Sequence, residues 1–305
     1  MGELDLLIID GNNLACRNFF KLSTLTNKKG EGTSAIFGTL RSLHSLIEEF
    51  KPARCIISWD YGHSPKRIEL YPSYKEGKGA MDSDIHKDYI RQLNEIQNFI
   101  NYFPIFQLKY VNTESDDIIA SLCGIFKDIT KMIVSTDKDF LQLIDEKTDI
   151  CIPNKKVETL DSFRKNYCFA PALIADLLSL TGDSSDSING ISGIGFKRAC
   201  DLIQKYGSFS EMIKEEENKD KFLKLVKENK MLVERNLQLI KLEKESISWK
   251  IIANDLLIGC EEYKKLSPLK WKEFLQVYFL RQGFLSFLKD LDKWISTFQS
   301  LSDSF

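Results

Sequence analysis

The sequence predicts an α/β core, a mostly parallel central sheet flanked by helices, followed by a helical half packed against it. Three observations carry this reading. Short apolar runs that end in an aspartate, at Leu4 to Asp10, Arg54 to Asp60 and Met132 to Asp137, alternate with segments whose apolar residues recur at helical spacing. Such alternation builds βαβ units and a parallel sheet. From Leu160 onward the apolar pattern is predominantly helical, and a boundary near residue 155 divides the chain into 1–155 and 156–305. Within the second half, Gly190-Ile-Ser-Gly193-Ile-Gly195 punctuates the chain as a hairpin that opens a helix.

Taken in order, Leu4 to Ile9 reads as a buried strand that delivers Asp10 to its C-terminal edge, where open α/β sheets bind ligands. Residues 13–25 look helical and 26–32 form a polar loop. Thr33 to Phe50 places Ile36, Phe37, Leu40, Leu43 and Ile47 on one helical face and stops ahead of Pro52. A second strand then ends at Asp60. From Gly62 to Gly79 the chain turns polar and aromatic, with Lys66, Arg67, Lys75 and Lys78 outnumbering Glu69 and Glu76, and with Tyr71 and Tyr74 among them. Rings and cations so interleaved suit a nucleic-acid strand, and equally a solvated loop. Residues 82–103 are an amphipathic helix carrying Ile85, Tyr89, Leu93, Ile96 and Ile100, and Phe103 to Val111 reads as a third strand. Glu114-Ser-Asp116-Asp117 opens a helix with more carboxylates than one cap uses. A fourth strand delivers Asp137 and Asp139, with Phe140, Leu141 and Leu143 beginning the helix behind it. Further helices are expected over 170–181, 208–243 and 268–298.

At 305 residues with 43% hydrophobic content, the chain has enough material for a sizeable core. Its seven cysteines (Cys16, Cys55, Cys123, Cys151, Cys168, Cys200, Cys260) stand singly. They read as reduced thiols of a cytoplasmic protein rather than as a disulfide frame or a zinc site. No signal segment or bilayer-length apolar run is visible, and Leu6 stands where a myristoylation signal on Gly2 needs Ser or Thr, so no membrane partner is expected. A formal net charge of −2 gives no global pull on nucleic acid; that partner requires acids and bases to be segregated.

Two chemistries meet in residues 179–205. Asp183 and Asp186, three apart, offer hard oxygen ligands from one turn. The glycines free backbone N–H groups beside a helix N-terminus flanked by Lys197 and Arg198, which describes a phosphate clamp or, more plainly, a glycine-rich connector. Together with Asp10, Asp60, Glu114, Asp116, Asp117, Asp137 and Asp139, the acids arise at five separate points, most of them at strand or loop ends of one rim. Two like charges about 4 Å apart repel by ~4 kcal/mol at a protein-like dielectric, so such a cluster needs cations to stay compact and ionised. Oxygen-only ligands select Mg or Mn over Zn, and this many suit a pair of ions acting on a phosphodiester. A phosphatase with an aspartyl nucleophile wants a second aspartate where Asn12 stands, which argues against it.

Ile-Ile-Asp10-Gly-Asn, Trp59-Asp60, Tyr71-Pro-Ser-Tyr74-Lys75, Glu114-Ser-Asp116-Asp117, Ser-Thr-Asp137-Lys-Asp139 and Leu-Thr-Gly-Asp183-Ser-Ser-Asp186, in this order and spacing, resemble the flap endonuclease and 5'-3' exonuclease family in its bacterial and bacteriophage form, including the N-terminal nuclease domain of bacterial DNA polymerase I. The resemblance runs from about Leu4 into the C-terminal helices. It implies a PIN-like (resolvase-like) core holding two Mg2+, for which Mn2+ substitutes, and a helical arch over about 72–92. It also implies a helix-hairpin-helix (helix-three-turn-helix) near 183–206 that grips duplex DNA by its phosphates, with a K+ ion. Asp10, Asp60, Glu114, Asp116 and Asp117 would serve mainly one metal and Asp137, Asp139, Asp183 and Asp186 the other, the division being left open. Lys75 matches the arch-base lysine that reaches the scissile phosphate, Arg67 a neighbouring phosphate contact and Tyr74 a stacking aromatic, with Asp116 counted beside Lys75 and Arg67 as catalytic. Lys78, Gly193, Gly195, Lys197 and Arg198 complete the implied DNA contacts.

The implied activity is that of a free-standing, monomeric, structure-specific 5' nuclease of DNA replication or repair, acting at a 5' end, a flap or a single-strand/duplex junction. Two other readings stay open: removal of RNA primers from RNA:DNA hybrids by the same core, and a DNA-binding module that lost catalysis. The full set of carboxylates speaks against the second.

Overall fold

The computed structural model describes residues 4–75, 83–153, 156–216, 219–264 and 268–302. In chain order, β1 (Leu6–Asp10) leads into α1 (Gly11–Lys21) and α2 (Ser34–Phe50), β2 (Arg54–Ser58) into α3 (Pro65–Leu70) and α4 (Ser83–Ile100), and β3 (Phe106–Leu108) into α5 (Ser115–Ile125). β4 (Lys131–Val134) runs through a 3-10 turn at Lys138–Leu143 into β5 (Thr148–Ile152) and β6 (Lys156–Glu158). These strands form one sheet in the order β3-β2-β1-β4-β5-β6, parallel throughout except for β6. β1 is buried along its whole length, as an apolar strand covered on both faces must be.

The chain steps from β1 outward to β2 and β3, then returns to β1's other side as β4. That reversal is the switch point at which an open α/β sheet exposes a crevice at its strand ends. Asp10 lies in register with Ser58, and Ile9 with Val134, so the residues that follow β2 and β4 converge on Asp10. Alternation along the strands divides the core. Leu7, Ile9, Ile57 and Val134 face α1, α2 and α4, whereas Leu6, Ile8, Ile56 and Ile133 face α5 and the helical half.

That half comprises α6 (Leu160–Asn166), α7 (Ile174–Thr181), the short hairpin β7 (Gly182–Asp183) and β8 (Ile188–Asn189), α8 (Phe196–Tyr206), α9 (Phe209–Lys214), α10 (Lys221–Glu228), α11 (Lys230–Ile240) and α12 (Trp249–Lys264). The last helices, α13 (Pro268–Gln282), α14 (Leu285–Lys289) and α15 (Leu291–Gln299), do not join it. Trp271, Phe279, Trp294 and Phe298 instead bury themselves with α2 and α4, on the opposite face of the sheet. β6 also continues the sheet just beyond residue 155. No helix among the described residues is long and apolar enough to cross a membrane.

Three segments differ from their sequence expectation. The third strand spans only Phe106–Leu108, because Pro104 has no N–H to donate and Asn112 turns the chain with a φ of 57°. The residues after Asp137 form a 3-10 turn instead of a full helix, with the Asp137 side chain accepting from the Asp139 N–H. The polar stretch after Gly62 contains α3, which Pro65 initiates at its first turn. Of the expected arch, residues 72–75 and α4 are described; Lys78 lies outside the described residues.

Candidate metal centre

Asp10 ends β1 and caps α1. Its Oδ1 accepts from the Asn13 N–H at 3.2 Å and its Oδ2 from Ser135 Oγ at 2.9 Å. At 8% exposure, burial and then the neighbouring Asp60 push its carboxyl up to about 7. Asp60, just past β2, accepts from the Ser115 N–H at 2.7 Å, which holds the start of α5 against the strand ends.

Glu114, Asp116 and Asp117 stand together at that helix start and bring carboxylate oxygens within 4.8 Å of one another. Glu114 is buried, yet Lys75 and Arg67 outweigh the burial and hold its carboxyl at about 2. Lys75 Nζ donates to its Oε1 at 3.0 Å, the Nδ1 of His63 lies 2.8 Å from the same oxygen, and Arg67 Nη1 donates to Oε2. Arg67 also forks onto Asp117 at 2.8 and 3.0 Å. Despite that fork, burial and then Asp116 push the Asp117 carboxyl up to about 6.

A second group faces the first. Asp139, Asp183 and Asp186 also bring oxygens within 4.8 Å of one another, Asp183 from the end of β7 and Asp186 from the turn that follows it. Asp137 sits beside them. Burial, and then Asp137, raise the Asp139 carboxyl well above its ordinary range. Its Oδ1 is buried with no hydrogen-bond partner among the described residues. Lys75 lies between the groups, 3.0 Å from Glu114 and 3.9 Å from Asp186, and the Tyr74 hydroxyl lies 3.1 Å from Glu114 and 3.4 Å from Asp186. The Lys75 backbone, in the left-handed region at φ 55°, donates its N–H to the Asp186 carbonyl at 3.1 Å, latching the arch base to the hairpin.

Residues 5–168 match the family model described as the 5'-3' exonuclease N-terminal resolvase-like domain, and residues 169–259 that of the 5'-3' exonuclease C-terminal SAM fold. The chain belongs to the 5'-3' exonuclease family. It is 32% identical over 292 residues to a 5'-3' exonuclease of Aquifex aeolicus, covering 94% of this chain and 95% of that one. It is 31% identical over 215 residues to DNA polymerase I of Bacillus subtilis, which covers 68% of this chain but only 24% of the polymerase. The T5 flap endonuclease, solved as a pseudo-enzyme–product complex with DNA and metal ions, shares the fold at a TM-score of 0.68 and 21% identity, over 86% of this chain and all of that one.

Within this family member the structure brings all nine expected carboxylates to one rim, and it places two of the expected DNA contacts, Tyr74 and Arg67, among them. Tyr74 is 5% exposed, with its hydroxyl in the acid groups and the Lys75 ammonium 5.0 Å from its ring centre. Arg67 is 7% exposed and directs its guanidinium at Glu114 and Asp117, so in this structure it organises carboxylates beneath the rim. At the hairpin, Ile191 and Ile194 are buried while Gly193, Gly195 and Lys197 are exposed. Arg198 folds back, donating to the Gly193 carbonyl at 2.6 Å and lying 4.7 Å from the Phe222 ring centre. Sequence reasoning passed over His63, Ser115 and Ser135. The only signal for the serines is their position inside acidic motifs, Glu114-Ser-Asp116 and Ser135-Thr-Asp137, and His63 carries none.

Proposed function

We propose that this chain is a cytoplasmic, monomeric, structure-specific 5' nuclease. It would hydrolyse DNA phosphodiesters near a 5' end, a flap or a single-strand/duplex junction, with two Mg2+ ions, leaving a 5'-phosphate and a 3'-hydroxyl. The observation that carries the reading is the pair of carboxylate groups facing each other across Lys75. Asp10, Asp60, Glu114, Asp116 and Asp117 would hold one ion and Asp137, Asp139, Asp183 and Asp186 the other. The donor set fits: hard oxygens suit Mg2+ or Mn2+, and the unpartnered Asp139 Oδ1 and the raised carboxyls of Asp10 and Asp117 all favour added positive charge. Ions bound there supply activation of water and stabilisation of the leaving oxygen.

The chain's own groups do the rest. Lys75 brings a fixed positive charge to the place where the phosphoryl oxygens gain negative charge. Arg67 and Ser115 keep Asp117 and Asp60 aimed at the rim. The N-terminus of α8 has no side-chain cap, so its free N–H groups, with exposed Lys197 beside them, suit phosphates of a duplex; a K+ ion in the hairpin would instead be held by backbone carbonyl oxygens. The T5 complex with DNA and metal ions supports the reading, since the same fold holds both there.

Product mapping on a 5'-flap substrate tests it. Incision at the junction with Mg2+ and none with EDTA is expected; cleavage from the 3' end, or cleavage that survives EDTA, overturns it. A matched RNA:DNA hybrid run in parallel decides whether RNA primers are also substrates. Neutralising Lys197 and Arg198 together should flatten the log-log salt dependence of DNA binding by about one unit for each phosphate they neutralise. Arg198 is partly committed to Gly193, so Lys197→Ala is expected to produce the larger share. An unchanged slope returns both to the solvated surface.

A further inference from the structure

The family models end at residue 259, and the Bacillus polymerase matches 68% of the chain, whereas the Aquifex protein matches 94% of it and so reaches into α13–α15. These helices are firmly seated. Phe37 stacks on Phe287 at 4.7 Å, Phe99 stacks on Tyr278 at 4.2 Å, and the Ser302 N–H donates to the Ala53 carbonyl at 2.7 Å.

What they hold is α4. Its second half is rooted by Leu93, Ile96, Phe99 and Ile100, but Asp84 to Lys87 are exposed, so an 18-residue helix about 27 Å long projects its first turns from the core. It begins eight residues beyond Lys75. The side turned towards α13 is not a filled core: a cleft of about 970 Å3 opens between α4, the edge strand β3, α12 and α13. Over that cleft the polar link is Glu95. It accepts from the Tyr278 hydroxyl at 3.0 Å and from Gln282 Nε2, and its other oxygen lies 3.5 Å from Arg91 Nη1. Arg91 in turn donates to Asp88 and to the Gly32 carbonyl in the loop ahead of α2. Fully buried Gln92 ties Asp88 to the Ala35 N–H. One carboxylate therefore joins the last helices, the arch helix and the 22–33 loop.

We propose that α13–α15 form a bracket that sets the tilt of α4 above the metal centre, and that Glu95 is the positioning residue through which the bracket acts. This rests on the reading of Lys75 and the arch as nuclease machinery. A change of tilt is passed to the metal centre through Tyr89 of α4, whose hydroxyl donates to the Asn12 carbonyl at 3.5 Å while Asn12 Oδ1 accepts from the Asp60 N–H at 3.1 Å, so loosening the bracket disturbs reactive geometry more than substrate affinity.

The test compares Glu95→Gln, Tyr278→Phe and the double variant. Amide hydrogen exchange over residues 83–91 is measured in the DNA-free protein, and kcat and KM on a 5'-flap oligonucleotide with Mg2+. Glu95→Gln should exchange at least fivefold faster there and lose five- to twentyfold in kcat with KM within twofold. The double variant should be no worse than Glu95→Gln, since both changes break one link. Unchanged exchange in α4, or faster exchange with wild-type kcat, overturns the proposal. If the wild-type protein leaves the flap uncut, the nuclease reading falls and the exchange measurement alone decides the bracket.

Discussion

Lys75→Ala should lower single-turnover cleavage of a 5'-flap substrate by roughly 10²- to 10³-fold, ~3–4 kcal/mol of transition-state stabilisation, while binding measured in Ca2+ changes less than threefold. The asymmetry follows from where Lys75 sits. Its ammonium is shared between Glu114 and Asp186, and its own N–H is fixed on the Asp186 carbonyl, so its charge is pre-positioned among carboxylates rather than free on the surface. Free surface charge would add affinity; a pre-positioned charge acts when negative charge develops nearby. Lys75→Arg should restore little, because a planar fork does not fit a place built for a point charge between two acid groups. Equal losses in binding and turnover would remove Lys75 from the chemical step.

Asp10→Asn should abolish cleavage yet stabilise the metal-free protein at neutral pH. The folded carboxyl at about 7 lies above the ordinary Asp value of 3.8, so the folded state holds a proton that the unfolded state has released. Its contribution is complete below about 4 and disappears as pH rises through about 7; Asp117, at about 6, acts in the same direction. Glu114, held at about 2, works oppositely and matters only in strong acid, where its contribution is lost as pH falls. The metal-free wild type should therefore melt progressively lower from pH 4 to pH 7. A shift of about three units corresponds to ~4 kcal/mol, which for a chain of this size is roughly 5–10 °C. Saturating Mg2+ should cancel most of that slope, and Asp10→Asn should remove its larger part. A melting temperature independent of pH in EDTA would show that the carboxylates do not crowd one another.

The strand-end aspartates were legible because their signal is local. An apolar run followed closely by Asp, at once in Ile9-Asp10 and Trp59-Asp60 and after Ser135-Thr136 for Asp137, predicts both a buried parallel strand and an acid at its C-terminal edge. The glycine hairpin ahead of α8 was legible for the same reason, since buried Ile191 and Ile194 alternate with the exposed glycines. The setting of Tyr74 was not legible, because ring and cation adjacency looks alike in a DNA-facing loop and in a buried latch. Only the hydrogen bond to Glu114, forty residues away, separates the two. The partners of Arg67 were hidden likewise, its fork closing on Asp117 fifty residues on.

By itself, then, the amino-acid order determined the α/β core, the identity of the nine carboxylates and their need for cations, because strand burial and charge repulsion depend on short spacings. Tertiary structure alone decided which acids meet, that Lys75 stands between them, and that the last helices return to brace α4. Those outcomes depend on strand order and helix docking, which bring together residues whose separation along the chain carries no local physical trace.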